Sequence, residues 1–159
     1  MEKVYISFFS ALDRVWKIIG SEKGIISIYP TDHTDIAIEN QHTILAAKEL
    51  NEYFVHIRTE FTFPLDLKGS PFRLAVWETL REIPYGEGIS YGELAARIGK
   101  PGAGRAVGQA VGDNPCLIVV PCHRVLGKTG TLTGFSAGMD LKKQLLKLEN
   151  IHYSGSTWH

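Results

Sequence analysis

The stretch from Ser90 to Asn114 constrains the fold most. Ser90-Tyr-Gly-Glu93 is a capping-box pattern, in which the serine oxygen can accept from the backbone at Glu93 and Glu93 can reach back. It opens a helix to about Ile98, with Leu94 and Ile98 buried. Gly99-Lys-Pro-Gly102 is a sharp turn. Arg105-Ala-Val-Gly-Gln-Ala-Val111 then predicts a second helix, ending near Gly112-Asp-Asn114-Pro115. Two short helices joined this way form a helix-turn-helix pattern. Small residues dominate the second: Ala103, Gly104, Ala106, Gly108 and Ala110. An interior glycine costs about 1 kcal/mol relative to alanine. What it offers in return is close approach of the backbone, either to the first helix or to a ligand. Arg105, the sole charge in this helix, sits at its start.

The flanking sequence divides in two. Val4–Phe9, Leu12–Ile19 and Gly24–Tyr29 are rich in β-branched and aromatic residues and read as strands, with Gly20–Gly24 as a turn. Ile44, Ala47, Leu50 and Phe54 follow helical spacing over Gln41–Phe54, and Phe61–Pro64 reads as extended. Strands followed by one helix make a small α+β unit. Beyond it, Ser70 can cap a helix that Pro71 opens, running to about Glu82. Cys116–Val120 is a continuous apolar run that predicts a buried strand. A Gly/Thr-rich loop, Leu126–Gly138, leads to a helix over about Asp140–Asn150, with Leu141, Leu145 and Leu148 on one face. Glu149 lies at the edge of that apolar stripe and needs a partner or water. The tail, Ile151–His159, is expected to be mobile. The domains expected are residues 1–67 and 68–159.

Composition bounds the function. Hydrophobic residues at 44% and charged residues at 21% exclude disorder and coiled coil. Lys+Arg and Asp+Glu balance at 17 each, which argues against a generally basic nucleic-acid coat. The balance hides an asymmetry: 11 Lys+Arg face 7 Asp+Glu from Lys68 onward, and 6 face 10 before it. The asymmetry fits either a polyanion met by the C-terminal part or two ordinary solvated surfaces. No apolar run reaches the roughly 18 residues of a membrane span. Lys3 precedes an apolar stretch, but Glu2, Asp13, Arg14 and the lack of a small-x-small site argue against a secretory leader. Two cysteines make no disulfide framework. A cytoplasmic protein is expected.

Chemistry concentrates at Pro121-Cys122-His123-Arg124-Val125. A thiol attacks as thiolate, and a neighbouring base or cation favours that form. His123 is the available base and Arg124 adds positive potential. Adjacent residues on a strand point to opposite faces, so the pair cooperates only if the chain bends or a water bridges it. Glu149, packed back, could orient His123 as the third group of a relay. Cys116 reads as a small buried hydrophobe. The spacing of Cys116, Cys122 and His123 fits no metal motif, and no phosphate-cradling motif is present.

On these residues, Pro121–Val125 preceded by Asn114-Pro115 and by Gly102–Gly108, the second part resembles the O6-alkylguanine-DNA alkyltransferases (methylated-DNA–protein-cysteine methyltransferases). The resemblance is close over about Pro71–Glu149 and looser over the three-strand start. It implies an α+β fold: a small antiparallel-sheet domain with a helix, ribonuclease-H-like, followed by a mainly helical, winged helix-turn-helix-like domain. It implies irreversible, single-turnover transfer of the alkyl group of O6-alkylguanine, with O4-alkylthymine as a second substrate, to Cys122 after the nucleotide is flipped out. His123 is then the base acting through a water, Glu149 its orienting carboxylate, and Asn114 the hinge to the cysteine loop. Tyr91 donates to the guanine ring and turns its phosphate. Arg105 is the finger that replaces the flipped nucleotide in the minor groove. Ala106, Gly108, Gln109 and Arg124 meet DNA. Val125, Phe135 and Ser136 form the base pocket. No cofactor and no metal is implied, and the partner is double-stranded DNA met by a monomer. Two residues depart from the family pattern: Phe135 stands where many members carry Tyr, and Gly104 where Ala is usual. Three other functions compete: a lesion sensor without transfer, which the presence of Cys122 opposes; a cysteine hydrolase; and a helix-turn-helix regulator with an incidental thiol.

Overall fold

The computed structural model describes residues 2–158. The chain divides into two compact units. One holds residues up to Lys68 together with Pro115–Val119, and the other holds Gly69–Asn114 and the chain from Val120 onward.

In the first unit, β1 (Tyr5–Ala11), β2 (Arg14–Gly20) and β3 (Ile25–Thr31) form an antiparallel sheet in that order. Alternation decides which face is covered: Trp16 and Ile18 are fully buried, while their neighbours Val15, Lys17 and Ile19 are half-buried. Helix α1 (Gln41–Phe54) packs on β1 and β2. There Phe9 stacks on Trp16 with centroids 5.7 Å apart, and Phe54 lies 5.6 Å from Trp16. Asn40 caps α1: its side chain accepts from the amides of His42 and Thr43, and its own amide donates to Thr43 Oγ1. The second strand starts two residues later than its composition predicts. Leu12 and Asp13, at φ 54° and 56°, form the hairpin turn between the paired Ala11 and Arg14. Such a turn matches strand twist, yet each non-glycine residue held there costs about 1 kcal/mol. Phe61–Pro64 forms no strand, and the neighbouring Leu65 makes one isolated parallel bridge to Ile25.

The second unit comprises α2 (Pro71–Leu80), β4 (Ile89–Ser90), α3 (Tyr91–Arg97), α4 (Gly104–Gly112), β5 (Val125–Leu126) and α5 (Met139–Leu148). Ser70 Oγ accepts from the Arg73 amide at 3.2 Å, as its sequence position predicts. Ser90 Oγ accepts from the Glu93 amide at 3.1 Å, but the Glu93 carboxylate meets the Ser90 hydroxyl rather than its backbone. Helices α3 and α4, joined by residues 98–103, are the helix-turn-helix. The Trp77 indole donates to the Ala110 carbonyl at 2.9 Å and ties α2 to α4. Strands β4 and β5 pair in parallel.

Residues 116–120 are buried as predicted but do not form a strand. Cys116 makes a single bridge to Ile28. The chain then turns back at Ile118, φ 77°, where the Val119 amide donates to the Leu117 carbonyl at 3.0 Å. A γ-turn of this hand is rare, and rarer at a β-branched residue. An inverse γ-turn follows at Pro121, φ −82° and ψ 62°, with the Cys122 amide on the Val120 carbonyl at 2.8 Å. An apolar run without period specifies burial and leaves the path open. The tail also differs from expectation. Tyr153 and Trp158 pack on Leu126, Leu146 and Ile151, and the Ser154 amide donates to the Gly130 carbonyl. Among the described residues no helix is long and apolar enough to cross a membrane.

Candidate active site

The two γ-turns deliver Cys122 to the start of a 3-10 turn, Cys122–Arg124. Successive residues there are about a third of a turn apart, not on opposite faces. The bend that cooperation of Cys122 with His123 requires is therefore present. Asn114, just past the end of α4, is fully buried. Its Nδ2 donates to the Val120 carbonyl at 2.7 Å and to Cys122 Sγ at 3.1 Å. One side chain thus joins the end of the helix-turn-helix to the thiol.

Glu149 caps the C-terminus of α5 and is 3% exposed. Its Oε2 lies 2.6 Å from His123 Nε2, and its Oε1 accepts from Arg124 Nε at 2.7 Å and from the Gly86 amide at 3.2 Å. Arg124 also donates to the Ile83 carbonyl at 2.6 Å and lies over the Tyr85 ring. With Glu149 holding Nε2, the imidazole presents Nδ1, which has no hydrogen-bond partner among the described residues. Burial pulls the His123 pKa below its ordinary value, against the attraction of Glu149. Burial pushes Glu149 up, but His123 and Arg124 more than reverse this and hold the carboxylate ionised. Burial pushes the Cys122 thiol up to about 11, and the Asn114 hydrogen bond only partly offsets it. Burial thus favours the neutral thiol and the neutral imidazole, beside a carboxylate that its partners hold ionised.

Arg124 corrects an expectation. It is 5% exposed and its guanidinium is committed to Glu149 and Ile83, so it is not presented to a phosphate. Beside Glu149 it helps hold that carboxylate ionised. Arg105, Ala106 and Gln109 are exposed on α4. Gly108 is half-buried, with the Tyr91 ring 3.8 Å from where a Cβ would stand. A Cβ at Gly104 or Gly112 would meet nothing within 4 Å. Packing inside the unit therefore does not account for those two glycines. Tyr91, Gly108, Val111, Cys122, Phe135 and Ser136 line a cleft of about 50 Å³. Val125 is buried, and its carbonyl accepts from Lys142 Nζ at 2.8 Å.

Two residues at this site escaped the sequence reading. Lys142 is 1% exposed, and Thr133 Oγ1 lies between Lys142 Nζ and the Tyr91 hydroxyl. The signal for Lys142 was its position seven residues before Glu149, on the same edge of α5. Thr133, in a loop without periodicity, carried none.

Residues 71–151 match the family described as 6-O-methylguanine DNA methyltransferase, DNA binding domain. A methylated-DNA–protein-cysteine methyltransferase of Mycolicibacterium paratuberculosis is 55% identical over 111 residues, which are 70% of this chain and 67% of that protein. The matched stretch in the Mycobacterium bovis relative is 63% of its length. The crystal structure of Mycobacterium tuberculosis O6-methylguanine methyltransferase superposes with a TM-score of 0.84 at 37% identity, covering 99% of this chain and 97% of that one. That of Mycobacterium tuberculosis OGT in complex with DNA gives 0.82 at 41% identity, covering 89% and 90%.

Proposed function

Because the chain belongs to the 6-O-methylguanine DNA methyltransferase family, we propose that it repairs DNA by direct reversal, taking the alkyl group of O6-alkylguanine, and of O4-alkylthymine, onto Cys122. The observation that carries this reading is the Asn114 bridge. It joins the thiol that has an adjacent base to the end of the helix-turn-helix, which supports a reaction on DNA.

The O6-alkyl carbon is out of reach inside a stacked duplex, so the nucleotide must be extruded. Arg105, exposed at the start of α4, fills the gap it leaves. The bare surface around Gly104 and Gly112 lets the helix seat deeply in the minor groove, and Ala106, Gly108 and Gln109 extend that face. A cleft of about 50 Å³ holds one or two waters. A purine enters only if Phe135 and Ser136 part from α4. His123 Nδ1 then takes the thiol proton through a water, leaving an imidazolium that Glu149 stabilises. The thiolate attacks the alkyl carbon, a C–S bond forms, and the C–O6 bond breaks with its electron pair going to the base. Tyr91 protonates the base as it leaves and recovers its proton from solvent, while the His123 imidazolium releases the thiol proton to solvent. The net change is one alkyl group to sulfur and one proton to guanine. A thioether offers no good leaving group, so each molecule reacts once, as a monomer on intracellular DNA.

The test separates binding from chemistry. Cys122→Ser is expected to bind duplex DNA containing O6-methylguanine about as well as wild type and to remove no methyl. Methyl loss from DNA with Cys122→Ser contradicts the proposal. The hydroxyl variant also discriminates the regulator reading, in which this cysteine is incidental.

A further inference from the structure

Lys142 is a buried ammonium that the mechanism so far does not use. It donates to the Val125 carbonyl at 2.8 Å and to Thr133 Oγ1 at 3.0 Å, and its Nζ lies 6.0 Å from the centre of the Phe135 ring. Thr133 Oγ1 is in turn 3.3 Å from the Tyr91 hydroxyl. Gly127 shapes the loop around it: a Cβ there would stand 2.9 Å from Thr133 Cγ2. Resting on the repair reading, we propose that Lys142 and Thr133 form a positioning relay that makes Tyr91 the proton donor to the departing base.

The direction of the relay follows from what each group can do. An ammonium donates and never accepts, so Thr133 Oγ1 must accept from Lys142. The threonine proton is then free to turn toward the Tyr91 oxygen. Tyr91 accepts it, and its own proton is directed elsewhere. The ring borders the same cleft as Cys122, so that proton is delivered to the base. A hydroxyl that accepts from a charged donor is itself a stronger donor. The relay thus also steadies the tyrosine oxygen as its proton departs. The ammonium carries a desolvation cost, since burial pulls its pKa down to about 8. A structural staple over Val125 would not need a charge at that cost, nor a threonine on the way to Tyr91.

The experiment compares two electrophiles for Cys122: duplex DNA carrying O6-methylguanine, whose leaving group must be protonated, and iodoacetamide, whose iodide leaves unprotonated. Thr133→Val is expected to slow methyl transfer about tenfold, the loss of one hydrogen bond at the transition state. Its iodoacetamide rate stays within about twofold of wild type, the span set by small shifts in packing. Thr133→Ser, which keeps the hydroxyl, recovers most of the methyl-transfer rate. Lys142→Met slows both reactions, because the same charge also acts on the thiolate. Thr133→Val at the wild-type rate on DNA overturns the relay alone. Equal slowing of Thr133→Val with both electrophiles overturns it too, since that is a disturbed pocket. Wild type that takes no methyl from DNA overturns the repair reading and the relay with it.

Discussion

Among the described residues two glutamates are buried, one within α1 and one at the C-terminus of α5, and their partners differ. Glu49 of α1 is 2% exposed and accepts from the Thr62 amide at 2.7 Å and the Thr62 hydroxyl at 2.5 Å, with Arg58 at 3.3 Å. Every one of these partners is a fixed donor of the same unit. Glu149 of the second unit is 3% exposed and also has an arginine, but one of its oxygens is spent on an imidazole. A carboxylate saturated by amide, hydroxyl and guanidinium can only staple. A carboxylate paired with a histidine fixes a tautomer and leaves the other ring nitrogen to exchange protons. Burial is alike in the two regions; the identity of one partner separates structure from chemistry.

The strongest way to break this contrast is Glu149→Gln. It is expected to lower methyl transfer at least about a hundredfold, because His123 loses its orienting anion. It also leaves Arg124 buried without its counter-charge, destabilising the fold by about 3–5 kcal/mol. Stopped transfer assays and urea titration read the two effects. The pH dependence has a definite sign. Glu149 has a depressed folded pKa, so its stabilisation is present above the ordinary carboxylate range and fades as pH falls through the folded value. His123 is also depressed, so the unfolded chain binds its proton first and stability falls as pH drops below about 6.5. Transfer, which needs the neutral ring, is expected to persist below that ordinary value.

Arg105→Ala ranks next. It is expected to cost about tenfold or more on duplex DNA, where the finger stabilises the extruded state, and little on free O6-benzylguanine. Equal losses on both substrates contradict the finger role. Glu49→Gln sharpens the comparison from the other side: a loss of about 1–3 kcal/mol in urea unfolding, from a weakened buried network, with the transfer rate of the folded protein unchanged. The smallest effect lies in the hairpin. Leu12→Asn with Asp13→Gly is expected to raise stability by about 1 kcal/mol by placing residues tolerant of positive φ in the turn, read as a few degrees in Tm.

Much of the site was legible in the sequence because its chemistry is carried by residue types in a short order. Cys122, His123 and a carboxylate on the last helix were nameable from the string, and so were the serine caps that begin α2 and α3. The path that brings them together was not. Cys116–Val120 reads as a strand because its residues are apolar, and nothing in that pattern encodes the turns at Ile118 and Pro121. Arg124 read as a DNA contact and Lys142 went unread, because a buried cation is distinguished only by its partners, and those are distant in sequence. Glu149 lies 25 residues from Arg124, and Val125 lies 17 from Lys142. The tail failed for the same reason: Trp158 finds its place only against Leu126 and Leu146.

The most direct test of Cys122 as a single-use alkyl acceptor is intact-protein mass after incubation with duplex DNA containing O6-methylguanine, followed by peptide mapping. A stoichiometric gain of one methylene on the peptide carrying Cys122, with no second turnover, is the expected result. An unmodified Cys122 after the methyl has left the DNA, or a gain at Cys116 instead, would contradict it.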